Sequence, residues 1–69
     1  SEMAEMLAVM KFMVMHNDAH AQELADLAVQ LQEAGREKLY RRIMDCVSSF
    51  DMVNADLDAV VQELSEEVY

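Results

Sequence analysis

Apolar residues recur at spacings of three and four along almost the whole chain. In the first half this stripe follows Met3, Met6, Met10, Met13, Asn17, His20, Leu24, Leu27, Leu31 and Ala34, and it is widened at its edge by Leu7, Val14, Ala21 and Ala28. In the second half it follows Leu39, Ile43, Cys46, Phe50, Val53, Leu57, Val60 and Leu64, flanked by Tyr40, Val47, Asn54, Val61 and Val68. Such spacing places the stripe on one side of a helix, and its persistence over many turns is typical of bundles and coiled coils. The pattern therefore predicts two long helices.

Gly35 lies between the two stripes and is the only glycine in a chain without proline. Glycine is favoured just past the C-terminal end of a helix, where a positive φ is needed. We therefore predict a single all-α domain over residues 1–69, an antiparallel two-helix hairpin with helix 1 over about 2–34, a turn at Gly35 and helix 2 over about 36–67. The heptad phase continues across Ser48 and Ser49, which favours one unbroken second helix.

The chain is too short to bury much apolar surface by itself. Domains of about this size often need disulfides, metals or self-association to be stable. Cys46 is the only cysteine among the 69 residues, so no disulfide within the chain is available. Because 54% of the residues are hydrophobic, we expect a homodimeric four-helix bundle or a larger helical oligomer.

The outer side of the first helix is also apolar near its N-terminus, where Val9, Phe12 and Met15 flank the stripe. A helix that is apolar on every side is buried on every side. We therefore predict an oligomer interface through these three residues. The alternative is a Met-rich groove at the N-terminal face that binds an apolar ligand or a protein partner.

The net charge of −9 repels the phosphates of nucleic acids and anionic membranes. The apolar run 6–15 is about half the length of a membrane span and contains Lys11. We therefore expect neither a nucleic-acid partner nor a membrane partner, and a cytoplasmic location.

The charges are unevenly distributed along the predicted hairpin. Four of the five cations lie at the tip, namely Arg36, Lys38, Arg41 and Arg42. Acids cluster at the open end, namely Glu2, Glu5, Glu63, Glu66 and Glu67. If two hairpins pack antiparallel, each basic tip meets the acidic end of its partner, and these charges set orientation more than affinity.

Polar residues interrupt the stripe halfway along the first helix. In a hairpin that bends at Gly35, residue numbers that sum to about 70 face each other. The residues that we expect to converge in a polar layer are His16, Asn17, His20 and Asn54. Such a layer fixes register, as a polar residue does at a seam position of a coiled coil.

The competing interpretation of this layer is a transition-metal site. His16 and His20 are four residues apart, on one side of the helix, and Glu23 or Asp51 would complete the shell. Zinc, nickel or iron would suit this donor set. A third interpretation makes one histidine a general base, but no complete catalytic motif is present and we name no catalytic residues.

The run His16–Leu24, followed by a glycine turn and a helix carrying Asn54, resembles small uncharacterised prokaryotic helical-hairpin proteins with an HN-x2-HA-x-E-L segment. The resemblance covers most of the chain and implies no settled activity. The function that we predict is a non-enzymatic, homo-oligomerising assembly or binding protein. The alternative is a transition-metal-binding protein that uses the His-x3-His pair at the centre of the bundle.

Overall fold

Two antiparallel helices make up nearly the whole chain. The computed structural model describes all 69 residues, with α1 over Glu2–Glu33 and α2 over Glu37–Val68. The helices pack along their length in a hairpin that measures 51 × 15 × 12 Å. The all-α hairpin predicted from the sequence is confirmed, and α2 continues without a break through Ser48 and Ser49.

The N-terminus of α1 is capped by the side chain of Ser1. The Oγ of Ser1 accepts a hydrogen bond from the backbone N–H of Ala4 at 3.2 Å. Glu2 and Glu5 lie in the first turn, where carboxylates interact favourably with the positive end of the helix dipole. The Ser1 side chain thereby satisfies one of the unpaired N–H groups that every helix start exposes.

The turn between the helices is a Schellman motif centred on Gly35. The N–H of Arg36 donates to the carbonyl of Leu31 at 2.8 Å, and the N–H of Gly35 donates to that of Gln32 at 3.0 Å. Gly35 has a φ of 79°, the only positive φ in the chain. A residue with a side chain adopts this conformation at a cost, so the glycine determines where α1 ends.

Replacing Gly35 by alanine tests the backbone cost of this turn directly. An added Cβ would have no atom within 4 Å, so the substitution changes conformational preference without a steric clash. We expect Gly35→Ala to lower the free energy of unfolding by about 1 kcal/mol. Chemical denaturation measures this loss, and Gly35→Asn should lose less, because asparagine tolerates positive φ. Equal stability of the alanine variant and the native chain would contradict the prediction.

The core of the hairpin follows a strict seven-residue repeat. The buried apolar residues are Leu7, Ala21, Ala28, Val47 and Val61, and Asn54 is buried at the place of the next repeat. The sequence pattern placed these positions at the edge of the stripe, whereas in the structure they form the contact between the two helices. The residues along the middle of the predicted stripe lie to one side of the contact between the helices, and they are exposed or half-buried.

Only six residues of the hairpin are buried. Its solvent-accessible surface is 5338 Å², whereas a compact monomer of 7.9 kDa is expected to expose about 4,400 Å². The difference arises because two rod-shaped helices bury only one side of each. Neither helix combines the length and the hydropathy that a bilayer crossing requires.

Candidate functional site

A polar cluster centred on Asn54 interrupts the core halfway along the helices. Asn54 is 4% exposed, and its Oδ1 accepts a hydrogen bond from Nδ2 of Asn17 at 2.9 Å. Its own Nδ2 donates to the carbonyl of Val14 at 3.0 Å and to Oδ1 of Asp18 at 2.9 Å. The structure thus brings together two of the four residues predicted for the polar layer, Asn17 and Asn54.

The hydrogen bonds of this cluster depend on the register of the two helices. Both N–H groups of the Asn54 amide are used, and no buried side-chain nitrogen or oxygen in the chain lacks a partner. Sliding α2 by one turn would bury this amide away from the groups that bind it, at a cost of about 1–3 kcal/mol for each unsatisfied group. We therefore expect the asparagines to favour one alignment of the hairpin.

Asp18 is the member of the cluster that sequence reasoning missed. It lies four residues after Val14, so both present groups to the same turn of α2. The available signal was the spacing of Val14 and Asp18, since residues four apart share one side of a helix.

His16 and His20 lie outside this cluster, which corrects the prediction of a four-residue layer. Both side chains are exposed on the outer surface of α1. Their Nε2 atoms are 2.9 Å apart, and their rings meet edge to face with centroids 4.3 Å apart. The His16 ring also stacks on Phe12 at 5.5 Å. The two histidines therefore form a pair on the surface of the hairpin.

Glu23 orients the second ring of this pair. Its Oε2 lies 3.2 Å from Nδ1 of His20. Because an ionised carboxylate can only accept a hydrogen bond, Nδ1 is the protonated nitrogen of a neutral His20. The lone pair of Nε2 is then free to accept a hydrogen bond from His16.

The predicted metal shell of His16, His20, Glu23 and Asp51 is not assembled within one hairpin. Asp51 lines a groove on the other side of the molecule together with Asp18 and Asn54. No group of three or more His, Cys, Asp or Glu side chains converges anywhere in the chain. A single hairpin brings together two imidazoles and one carboxylate that contacts a ring.

His20 lies on an exposed apolar side of the hairpin, and His16 lies beside it. His20 lies about 100° from Ala21 round α1, and Asp18 lies about 60° from Ala21 in the other direction. On α2, Val53 lies about 100° from Asn54, and Asp51 lies about 60° from Asn54 in the other direction. Because Asp18 and Asp51 line one groove, His20 and Val53 lie on the opposite side of the hairpin.

We call this opposite side the apolar face. On α1 it consists of Met6, Met13, His20 and Leu27, and on α2 of Leu39, Cys46, Val53 and Val60, all of them exposed. The groove side carries Asp18, Asp51 and Asp58 at equivalent positions. The two sides of the hairpin therefore differ sharply in polarity, although they flank the same core.

The residues predicted for an oligomer interface are all exposed. Val9 lies beside the apolar face, next to Met6 in a shallow depression. Phe12 and Met15 project further round α1, away from the core. Of the three, Val9 is placed to extend the apolar face.

Most of the charged side chains are free of partners within the hairpin. The chain has two close ion pairs, Arg41 with Glu37 at 3.4 Å and the His20 contact with Glu23. The tip cations Arg36, Lys38 and Arg42 form none. These cations are available to an acidic surface.

A model of a domain family of unknown function, DUF8180, matches residues 6–64. The matched region includes most of both helices, the turn, the asparagine cluster and the histidine pair. The chain belongs to this family. No curated protein matched the chain, and no solved structure did.

Proposed function

We propose that this DUF8180 protein is a non-enzymatic assembly protein whose unit is a homodimeric four-helix bundle of two hairpins. The observation that carries the proposal is the apolar face, a second stripe of large apolar side chains that both helices present on one side. Helices with one buried and one exposed apolar stripe are typical of bundles of more than two helices.

The size of this face suits a stable dimer. A side of 51 by 15 Å has a projected area of roughly 750 Å², close to the 800 Å² or so that each partner buries in a standard interface. The face exposes six large apolar side chains, those of Met6, Met13, Leu27, Leu39, Val53 and Val60. A second copy would cover them with side chains of the same kind.

The charges favour an antiparallel dimer. In that arrangement the basic tip of each hairpin lies beside the acidic open end of the other, where Glu2, Glu63 and Glu67 flank the apolar face. A two-fold axis then crosses the bundle at its middle, with α1 against the partner's α1 and α2 against the partner's α2. The axis passes near Asn17 and Asp18 in α1 and near Met52 and Val53 in α2, the midpoints of the helices.

The net charge of −9 also supports a role without nucleic acid or anionic membranes as partners. The apolar face has two other conceivable occupants, a helix of a different protein and an apolar small molecule. The proposal commits to a second copy, because the face runs the full length of the hairpin and the tip and open end are complementary in charge.

Sedimentation equilibrium of the purified, metal-free chain tests this proposal. We expect a mass of twice 7.9 kDa at micromolar concentration, largely unchanged by high salt because apolar burial holds the dimer. A folded monomer that persists to high concentration would refute the proposal. Such a monomer would leave a different protein or an apolar ligand as the occupant.

A further inference from the structure

We propose that the histidine pairs of two copies bind one divalent transition-metal ion at the two-fold axis of the dimer. This inference rests on the antiparallel dimer proposed above. The ligands are Nε2 of His16 and Nε2 of His20 from each copy, and Glu23 is a positioning residue that contacts His20.

The first support is the geometry of the pair. The two Nε2 atoms are 2.9 Å apart on the exposed surface of α1, close enough for one ion to contact both. Nitrogen ligands of a tetrahedral zinc ion lie about 2.0–2.1 Å from the metal and therefore about 3.3 Å from each other. The pair needs to open by only a few tenths of an ångström to admit an ion.

The second support is the contact between Glu23 and His20. Histidines that bind metals almost always donate their other ring N–H to a carboxylate, a carbonyl or a water, which fixes the tautomer. The Nδ1 of His20 has such a partner in Oε2 of Glu23 at 3.2 Å. The carboxylate keeps the proton on Nδ1, so Nε2 of His20 carries a lone pair. Without metal this lone pair accepts a hydrogen bond from Nε2 of His16, and His16 binds the ion through the same nitrogen once its proton has moved to Nδ1.

The third support is the position of the pair along α1. His16 and His20 bracket the midpoint of Glu2–Glu33, where the two-fold axis of the proposed dimer passes. His20 belongs to the apolar face and His16 lies beside it. The axis therefore brings the two pairs opposite each other.

The donor set follows from this arrangement. One hairpin supplies two imidazole nitrogens and no third ligand, which is too few for a closed site. Two copies supply four imidazoles, a set that suits zinc, nickel or copper ions and not magnesium or calcium, which prefer oxygen ligands. The site is complete only in the dimer.

The experiment is a calorimetric titration of the untagged full chain with zinc chloride, with sedimentation before and after addition. We expect one zinc ion per two chains and a rise in melting temperature, because the ion binds only the folded dimer. The double variant His16→Gln/His20→Gln should abolish binding. Glu23→Gln should weaken it about 10- to 100-fold. The control Asp51→Asn/Asp58→Asn, on the groove side, should bind as the native chain does.

The outcomes separate this inference from the proposed assembly. A metal-free dimer that does not bind zinc, binds one ion per chain, or binds equally after loss of both histidines would overturn the shared site and leave the assembly intact. A chain that is monomeric without metal and dimeric with half an equivalent of zinc would support the site and refute assembly through the apolar face alone.

Discussion

Val53→Glu is expected to convert the proposed dimer into a monomer and to lower its melting temperature. Val53 is 67% exposed in the hairpin, so the substitution disturbs little within one chain. In the dimer it lies beside the two-fold axis, where two new carboxylates would be buried together. An unpaired buried charge costs about 3–5 kcal/mol, which corresponds to at least a 100-fold weaker association. Sedimentation velocity over a range of concentrations measures this change.

Met52→Glu is the matched control. Met52 is 69% exposed, directly adjacent in sequence and equally close to the middle of α2. Its side chain lies about 100° further round the helix, away from the apolar face. The same charge at this position should leave the dimer and its melting temperature nearly unchanged. Dissociation of both variants, or of neither, would contradict the assignment of the apolar face as the interface.

Asn54→Ala is expected to lower the stability of the hairpin strongly. The change removes the hydrogen bonds to Asn17, Asp18 and the Val14 carbonyl and leaves a small cavity in the core. Together these effects should cost about 2–4 kcal/mol. Urea denaturation monitored by circular dichroism measures this loss.

The double variant Asn17→Leu/Asn54→Leu separates stability from specificity. Removing both amides together leaves neither asparagine without the other as its hydrogen-bond partner, and the leucines add apolar contact. This variant should therefore be at least as stable as the native chain. It should lose the single register, and its sedimentation should show mixed oligomers. A uniform dimer of unchanged size would show that the asparagines do not select the alignment. An alanine variant as stable as the native chain would show that the cluster contributes no stability.

The sequence determined the helices and the turn because both follow from local physics. A period between three and four specifies helices, and the only glycine in a chain without proline specifies where they separate. The pairing of Asn17 with Asn54 also followed from counting outward from Gly35. These features depend on residues close in sequence or on the simple geometry of a hairpin.

The tertiary structure decided which part of the wide apolar stripe becomes the core. Residues such as Ala21 and His20 differ by only one position, and periodicity cannot tell which of two adjacent positions points at the partner helix. The rotation of each helix about its axis is set by close packing, and the small Ala21 and Ala28 let the helices approach. That rotation buries Asn54, places the histidines outside and leaves one side of the hairpin apolar.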